Sequence, residues 1–308
     1  MSKTQLTLVL PGIAAILTQE INRNVLPESL SRILKKSKFE QKTFSLSHLL
    51  FNHFSQKPLI NNDLPVVNLS GIQGSFVRAD PCYLHADRDK LLLFSQGLEL
   101  SDDEAEELVQ EVQPLLTDLG TGLTKQSNTE WLLNLTHPAD VTFSAMEEVE
   151  GQAVDPFLPS GKERGEWLRL WNEIQMQLYN ADINQRRLAQ NKLPVNSLWF
   201  WGAGEFEPNS SVWTSARGDS ALLEQLTSAS NTLKVEVDTQ FSVGKHLWLI
   251  DPVDTESDWQ KQLSLYENTI FKPILKQLSR GQIKKLIIEI PQLGSYKTTS
   301  LDYWKFWS

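Results

Sequence analysis

Residues 6–10 form a short unbroken apolar run that ends in Pro11-Gly12, and the pattern predicts a buried strand followed by a turn. A helix is expected directly after it, over residues 13–21. Residues 44–54 carry Leu46, Leu49, Leu50 and Phe54 at helical spacing. From 55 to 75 the composition turns to Asn, Pro, Gly and Ser, which reads as a loop-rich junction. Two apolar pieces within 83–94 flank Ala86-Asp87-Arg88-Asp89, the pattern of a hairpin with an acid-rich turn. Residues 101–119 predict a helix with a marked start. Ser101 caps it, Asp102, Asp103 and Glu104 complement its dipole, and Ser-x-x-Glu makes a capping box. Its apolar face runs through Ala105, Leu108, Val109, Val112 and Leu116. Trp167, Leu170, Trp171, Ile174 and Leu178 mark one face of a second amphipathic helix over 163–180.

Later strands are expected at 197–201, 246–250 and 285–290, the last two separated by a helical stretch over 257–278. Strand, helix, strand in that order is a parallel α/β unit. Residues 1–60 and 185–308 therefore read as an α/β core, and 61–184 as a mixed α+β insertion.

Length and charge narrow the classes. A chain of 308 residues suits one large or two modest domains, and 40% hydrophobic with 22% charged residues describes an ordinary soluble globular protein. A formal charge of −9 argues against nucleic acid or an anionic membrane as partner, since no excess of Lys and Arg exists to neutralise phosphates. Cys82 is the lone cysteine, so no internal disulfide or zinc knuckle is expected, and it reads as a small buried residue rather than a reactive thiol. Pro11 and Gly12 interrupt the N-terminal apolar run and Glu20 follows, which is not a signal-peptide pattern. No window nears the roughly 18 uninterrupted apolar residues of a membrane span, so the expectation is a cytoplasmic protein.

The segment LPVNSLWFWGAGEFEP, residues 193–208, sets an apolar strand against Gly202 and Gly204, then Glu205 and Glu207. A strand ending in Gly-x-Gly lets backbone amides approach a ligand closely, and Glu205 then serves as base or ligand. The alternative is a tight turn with no ligand. Asn184, Arg186 and Arg187 precede this strand, and Arg187 is the better candidate for holding a phosphate or carboxylate in bidentate fashion. The competing account is a helix end whose cations complement its dipole. Asp80, His85, Asp87 and Asp89 are the densest set of potential metal ligands, suited to magnesium, manganese or calcium. A strand start and a polar hairpin turn explain the same residues. Asp251, at the end of a late strand, with Asp254, is a candidate half of a metal site, while helix capping explains these acids and Asp258 without function. Trp199 and Trp201 share a strand face and suggest packing on a helix, and Tyr303, Trp304, Phe306 and Trp307 form an aromatic tail expected to dock on the body.

Three segments, ADPCYLHADRDKLLL, LWNEIQMQLY with NQRR, and LPVNSLWFWGAGEFEP, together resemble the bacterial regulatory proteins of RpfE type, loosely labelled cofactor-independent phosphoglycerate mutase. The Pro-x-Asn…Trp-Gly-x-Gly…Pro string, which contributes Asn196, is more distantly similar to a segment of archaeal-type phosphoglycerate mutases. That resemblance implies an alkaline-phosphatase-like fold: a mostly parallel sheet with helices on both faces and a mixed inserted middle region. It also implies two divalent metals, manganese or magnesium, a Ser or Thr nucleophile, and a ligand-contacting role for Asp80 or Arg88. Ser70, Ser75 and Ser197 are equal candidates for that nucleophile. The sequence departs from the pattern in two places. Pro11-Gly12 stands where the superfamily has a metal-binding Asp-Gly, and Asp251-Pro-Val-Asp254 runs on without the expected Gly-His. The expectation is a mutase-like protein that has lost phosphoryl transfer and binds a small phosphorylated or carboxylate ligand or regulates. A working metal-dependent mutase or phosphohydrolase and a structural or protein-interaction role are the alternatives.

Overall fold

The strand Thr4–Val9 lies at the centre of a mostly parallel sheet because Leu6, Leu8 and Val9 are apolar on both faces and fully buried. The structure is a computed structural model that describes residues 4–18, 26–59, 63–117, 120–236, 241–254 and 258–304, the side chains of 121, 303 and 304 apart. Among these residues the chain divides into two compact units, 1–58 with 207–308, and 59–206.

In the first unit the sheet runs, edge to edge, Leu233–Lys234, Ser215–Arg217, Lys245–Leu249, Thr4–Val9, Ile283–Ile290, Gly294–Thr299 and Lys38–Gln41. The first five are mutually parallel, and the last two add antiparallel. Leu6, Leu8, Leu286 and Ile288 point to one face and pack with Ile33, Leu263, Phe271 and Ile274 from helices covering it. Glu289, alternating with Ile288, points to the other face and pairs with His53 of helix Leu46–Phe54, which packs beside helix Ala221–Ala229. Helices therefore cover both faces, as expected of an α/β protein. The stretch predicted as one helix over 257–278 is Trp259–Tyr266, a widened turn Glu267–Phe271, and Lys272–Ser279. Pro273 has no N–H to donate to the preceding turn, and the backbone widens there. Its first residue, 257, lies outside the described residues, as do 19–21 of the helix predicted over 13–21, which is seen as Ala14–Thr18.

The second unit is built on the long strand Phe76–Asp87. It pairs antiparallel with Lys90–Phe94 through the two-residue turn Arg88-Asp89, with Trp131–Leu135, and with Ser197–Trp201. Gly120–Lys125 extends the sheet. Placing residues 185–206 with the outer core is therefore corrected: Ser197–Trp201 is a strand of this sheet, and the unit ends at Phe206. An unbroken apolar run states that a strand is buried but not which strand it meets. Helices Asp102–Val112 and Arg164–Asn180 cover the sheet, with Trp167 in edge contact with Phe143 and Phe200 at 4.9 Å each. Asp102–Val112 starts at the anticipated Ser101–Glu104 capping box and passes at Pro114 into a tighter turn, Gln113–Leu116. Residues 118 and 119, the predicted end of that helix, lie outside the described residues. So do Phe306 and Trp307 of the aromatic tail and the side chains of Tyr303 and Trp304. No helix among the described residues is long and apolar enough to cross a membrane.

Candidate functional site

The Gly-x-Gly segment follows Ser197–Trp201 within the second unit. Gly202 takes φ +88, and a Cβ there would lie 2.8 Å from Val66 Cγ2 and 2.9 Å from Arg78 Cγ. At Gly204 a Cβ would lie 2.7 Å from the Asp63 carbonyl oxygen. The glycines thus admit close approach, but what approaches is the protein. The Gly202 N–H donates to Asp63 Oδ1 at 2.6 Å, and the nearby Ala203 and Phe143 amides add to the influences that favour its charged form. Asp63 is buried, and desolvation pushes its carboxyl up to about 6 against these three amides, which favour the charged form. A side chain from 139 residues upstream occupies the anion-binding turn that the motif advertised.

Beyond that turn, Gly202 to Glu205 wall a cavity of 250 Å³ with Asn68, Gly74, Ser75 and Phe76. Glu205 is exposed at its edge and is the lone ionisable side chain in the described lining. Such a cavity offers amide, hydroxyl and backbone groups to a small polar ligand, and no cation to a phosphate.

The other predicted ligand residues are placed elsewhere. Arg187 is 1% exposed, with Nε donating to the Leu193 carbonyl at 2.9 Å, NH1 paired with Glu104 Oε2 at 2.7 Å, and NH2 donating to the Leu98 carbonyl. Glu104, the capping-box acid, also meets Lys192 at 3.4 Å, and neighbouring Arg186 pairs with Glu107. The placing of Arg187 as a phosphate or carboxylate ligand is therefore corrected: it is buried in the core of its own unit, against Glu104 and the Leu98 and Leu193 carbonyls. The sequence's short basic cluster finds its counter-charges on the acid-rich helix. Asn184 bridges the Leu178 and Val195 carbonyls at 2.8 Å each, and Asn196 clasps both backbone groups of Leu84 at 2.7 and 2.9 Å. Both amides are fasteners.

Asp80 is buried mid-strand. Its Oδ1 accepts from Arg78 Nε at 3.0 Å and the Trp131 amide at 2.9 Å, and its Oδ2 accepts from Trp201 Nε1 at 2.8 Å and meets Arg78 NH2 at 2.8 Å. Burial raises its pKa, with the Arg78 guanidinium the largest opposing influence. A carboxylate with these partners closes the sheet edge and has no lone pair left for a metal. Arg88, at φ 56, and Asp89 form the exposed hairpin tip, and His85 meets Tyr83 at 3.1 Å on the exposed strand end. Asp80, His85, Asp87 and Asp89 do not converge. Trp199 packs edge-on to Trp171 of the long helix at 6.2 Å, while Trp201 lies beside Arg78 at 5.1 Å. Cys82 is fully buried, and burial pushes its thiol far up, in keeping with an inert core residue. The Ser70 and Ser197 hydroxyls donate to nearby backbone carbonyls, and Ser75 lines the cavity.

The two metals that the resemblance implies are tested at the strand ends of the first unit. There the Val253 amide donates to the Pro11 carbonyl at 3.0 Å, and Gly12, at φ +82, sits so close to the Val253 backbone that a Cβ would collide with its carbonyl. Pro11 brings no carboxylate to the end of the first strand, and its carbonyl is taken by the Val253 amide. Asp251 and Asp254 are exposed, the Asp251 carbonyl accepts from the Tyr266 hydroxyl, and Asp258 caps helix Trp259–Tyr266. Among the described residues no group of three or more His, Cys, Asp or Glu is disposed to hold a metal. The donors among the described residues do not fit a two-metal phosphoryl-transfer centre.

The fold and site define an α/β protein with a mostly parallel sheet and a second, antiparallel unit. No protein-family model matches the chain. The chain is 26% identical over 141 residues, 46% of its length, to a probable 2,3-bisphosphoglycerate-independent phosphoglycerate mutase of Geobacter sulfurreducens, covering 32% of that protein. It is 30% identical over 66 residues to the corresponding mutase of Methanosarcina barkeri, which is 21% of this chain and 17% of that one. The chain thus spans about a third or less of the curated relatives it matches. Among solved structures it is similar to the cofactor-independent phosphoglycerate mutase of Thermoplasma acidophilum, with a TM-score of 0.41 and 13% identity over 97% of this chain and 90% of that one. It is also similar to the PH0037 protein of Pyrococcus horikoshii, with a TM-score of 0.47 and 11% identity over 97% and 88%. The Geobacter, Methanosarcina and Thermoplasma proteins carry the mutase name, and none of these four relatives carries the RpfE-type regulatory one.

Proposed function

We propose that the chain is a phosphoglycerate-mutase-like protein, of alkaline-phosphatase-like ancestry, that has lost phosphoryl transfer and works by binding, in the manner of a regulatory protein. The observation that carries this is the closure of the strand ends: the Pro11 carbonyl is bonded to the Val253 amide and Gly12 is pressed on Val253. A two-metal mechanism needs carboxylates and imidazoles converging there to activate a nucleophile and clamp the phosphoryl group. The chain supplies backbone instead. The capture of the Gly202 amide by Asp63 supports the same reading, since it fills the anion cradle of the Gly-x-Gly turn.

The test is a coupled assay for interconversion of 3- and 2-phosphoglycerate by purified protein, with manganese or magnesium added, alongside metal analysis. The expected result is no turnover above the blank and no stoichiometric metal. Turnover that depends on manganese and disappears in Asp251→Ala would overturn the proposal.

A further inference from the structure

We infer that the first unit binds a small polyanion, one carrying three or more negative charges, at the amino ends of its central strands. Strands Lys245–Leu249, Thr4–Val9 and Ile283–Ile290 are parallel neighbours and begin together at this end. Their pairing puts Lys245, Gln5 and Lys285 in register, and Thr299 of the antiparallel neighbour continues the row. Residues paired across strands project from the same face, so the row sets a lysine on each side of a glutamine. About 10 Å of sheet separates the two lysine backbones. A bulge adds a third lysine. Thr4 is paired with Ile283 and Gln5 with Lys285, which leaves Lys284 as an extra residue. Ile283 and Leu286, three positions apart, both bury in the core on the face of Leu6 and Leu8. Lys284 and Lys285 between them are therefore both turned away from that core, and both are exposed.

A cavity of 470 Å³ opens here, within the range of small-molecule sites. Lys245, Lys284 and Lys285 line it with Gln5, Thr299 and Ser300, and its described lining holds no carboxylate. Among the described residues none of the three lysines has an ion-pair partner. Neighbouring Asp302 is engaged by Thr299, whose hydroxyl donates to it at 2.6 Å. One row along the same face Lys297 pairs with Glu40, and Arg186, Arg187 and Lys192 all have acids of their own. Cations gathered on a concave surface without a counter-charge repel one another, in a chain of net charge −9 that supplies acids elsewhere. A multiply charged anion removes that repulsion. Ammonium groups hold phosphate or carboxylate oxygens as point charges, with no fixed fork to select one geometry. The Gln5 amide and the Ser300 hydroxyl add neutral donors beside them. A phosphoanhydride chain or a tricarboxylate carries enough charge to meet all three lysines, and a single phosphate does not. A merely solvated row of lysines, the competing account, takes up no ligand saturably. The cavity lies at the strand ends opposite those tested for metals, so the inference goes beyond the loss of phosphoryl transfer and does not depend on it.

Isothermal titration of the full chain with tripolyphosphate and with citrate, free of divalent metal, tests the site. Inorganic phosphate and a short single-stranded oligonucleotide are the comparisons. Saturable binding of at least one of the two polyanions is expected, about tenfold or more tighter than inorganic phosphate. Which of the two binds tells a phosphate chain from a tricarboxylate. Lys245→Gln and Lys285→Gln, at exposed positions, are each expected to weaken binding about threefold or more, the scale of one charge pair near a surface. Replacing Lys245, Lys284 and Lys285 together by Gln, with native circular dichroism as the check, is expected to abolish it. Lys90→Gln removes the same charge from the second unit and is expected to leave it unchanged. Absence of saturable binding, inorganic phosphate bound as tightly, or binding retained in the triple variant would each overturn the proposal. So would an equal loss in Lys90→Gln, or a tighter grip on the oligonucleotide than on either polyanion. None of these outcomes bears on mutase turnover, so the two proposals fail separately.

Discussion

Asp63 offers a quantitative test of how the Gly-x-Gly turn is held. Its carboxyl, ordinarily near 3.8, is raised to about 6 by burial, against the Gly202 amide that donates to it and the nearby Phe143 and Ala203 amides. A folded pKa above the unfolded one means that the native state holds the proton more tightly. This contribution to stability is therefore complete below about pH 4, falls as pH rises through the window to about pH 6, and is flat above it. The shift corresponds to about 3 kcal/mol across that window. Asp63→Asn keeps the size and an oxygen acceptor for the Gly202 amide but cannot ionise. Urea unfolding of both proteins at intervals from about pH 4 to pH 7 would isolate the effect as a difference, because other carboxylates titrate in both. The stability of the natural protein relative to Asp63→Asn should fall by about 3 kcal/mol over the window. Parallel curves, or a difference of opposite slope, would refute the argument that burial outweighs the three amides. Asp63→Ala should cost about 1 kcal/mol or more even at the acid end of the window, since it strands the buried Gly202 N–H.

Gly202→Ala should destabilise by about 2 kcal/mol or more, from a positive φ and from a Cβ forced against Val66 and Arg78, read as a lower urea midpoint with unchanged slope. Arg187→Met should cost about 3 kcal/mol or more, since it removes the ion-pair partner of Glu104 and the donor to the buried Leu98 and part-buried Leu193 carbonyls. A stable Arg187→Met that lost only ligand affinity would return Arg187 to the binding candidates. Cys82 should resist a thiol reagent in the native protein and react at the rate of unfolding, so rapid stoichiometric labelling without denaturant would contradict its burial.

Local signals in the sequence were good guides to local structure. The Ser101–Glu104 capping box, the hairpin at Arg88-Asp89, the amphipathic face from Trp167 to Leu178 and the buried first strand each depend on residues within a few positions of one another. The α/β class followed from the order of such elements. Short strands with little apolar content, such as Gly294–Thr299 and Lys38–Gln41, left no comparable mark. They exist because Ile283–Ile290 has unpaired backbone to offer Gly294–Thr299, which in turn offers its own free edge to Lys38–Gln41.

The candidate site was legible in part. Gly202 and Gly204 were identified as positions of special backbone geometry, and the structure shows that geometry. What occupies it was not legible, because Asp63 lies 139 residues away in a stretch whose composition reads as loop. Arg187 looked like a ligand residue because guanidinium chemistry is the same whether it meets a phosphate or Glu104. The sequence by itself determined the strands and helices with strong local patterns, the glycines where backbone must pass closely, and the missing carboxylate after the first strand. Only the tertiary structure decided that Ser197–Trp201 joins the antiparallel sheet, that Asp63 fills the turn beyond it, and that Val253 closes on Pro11. Those outcomes turn on pairings between distant segments, and a hydrogen-bond donor or an apolar run carries no label for its partner.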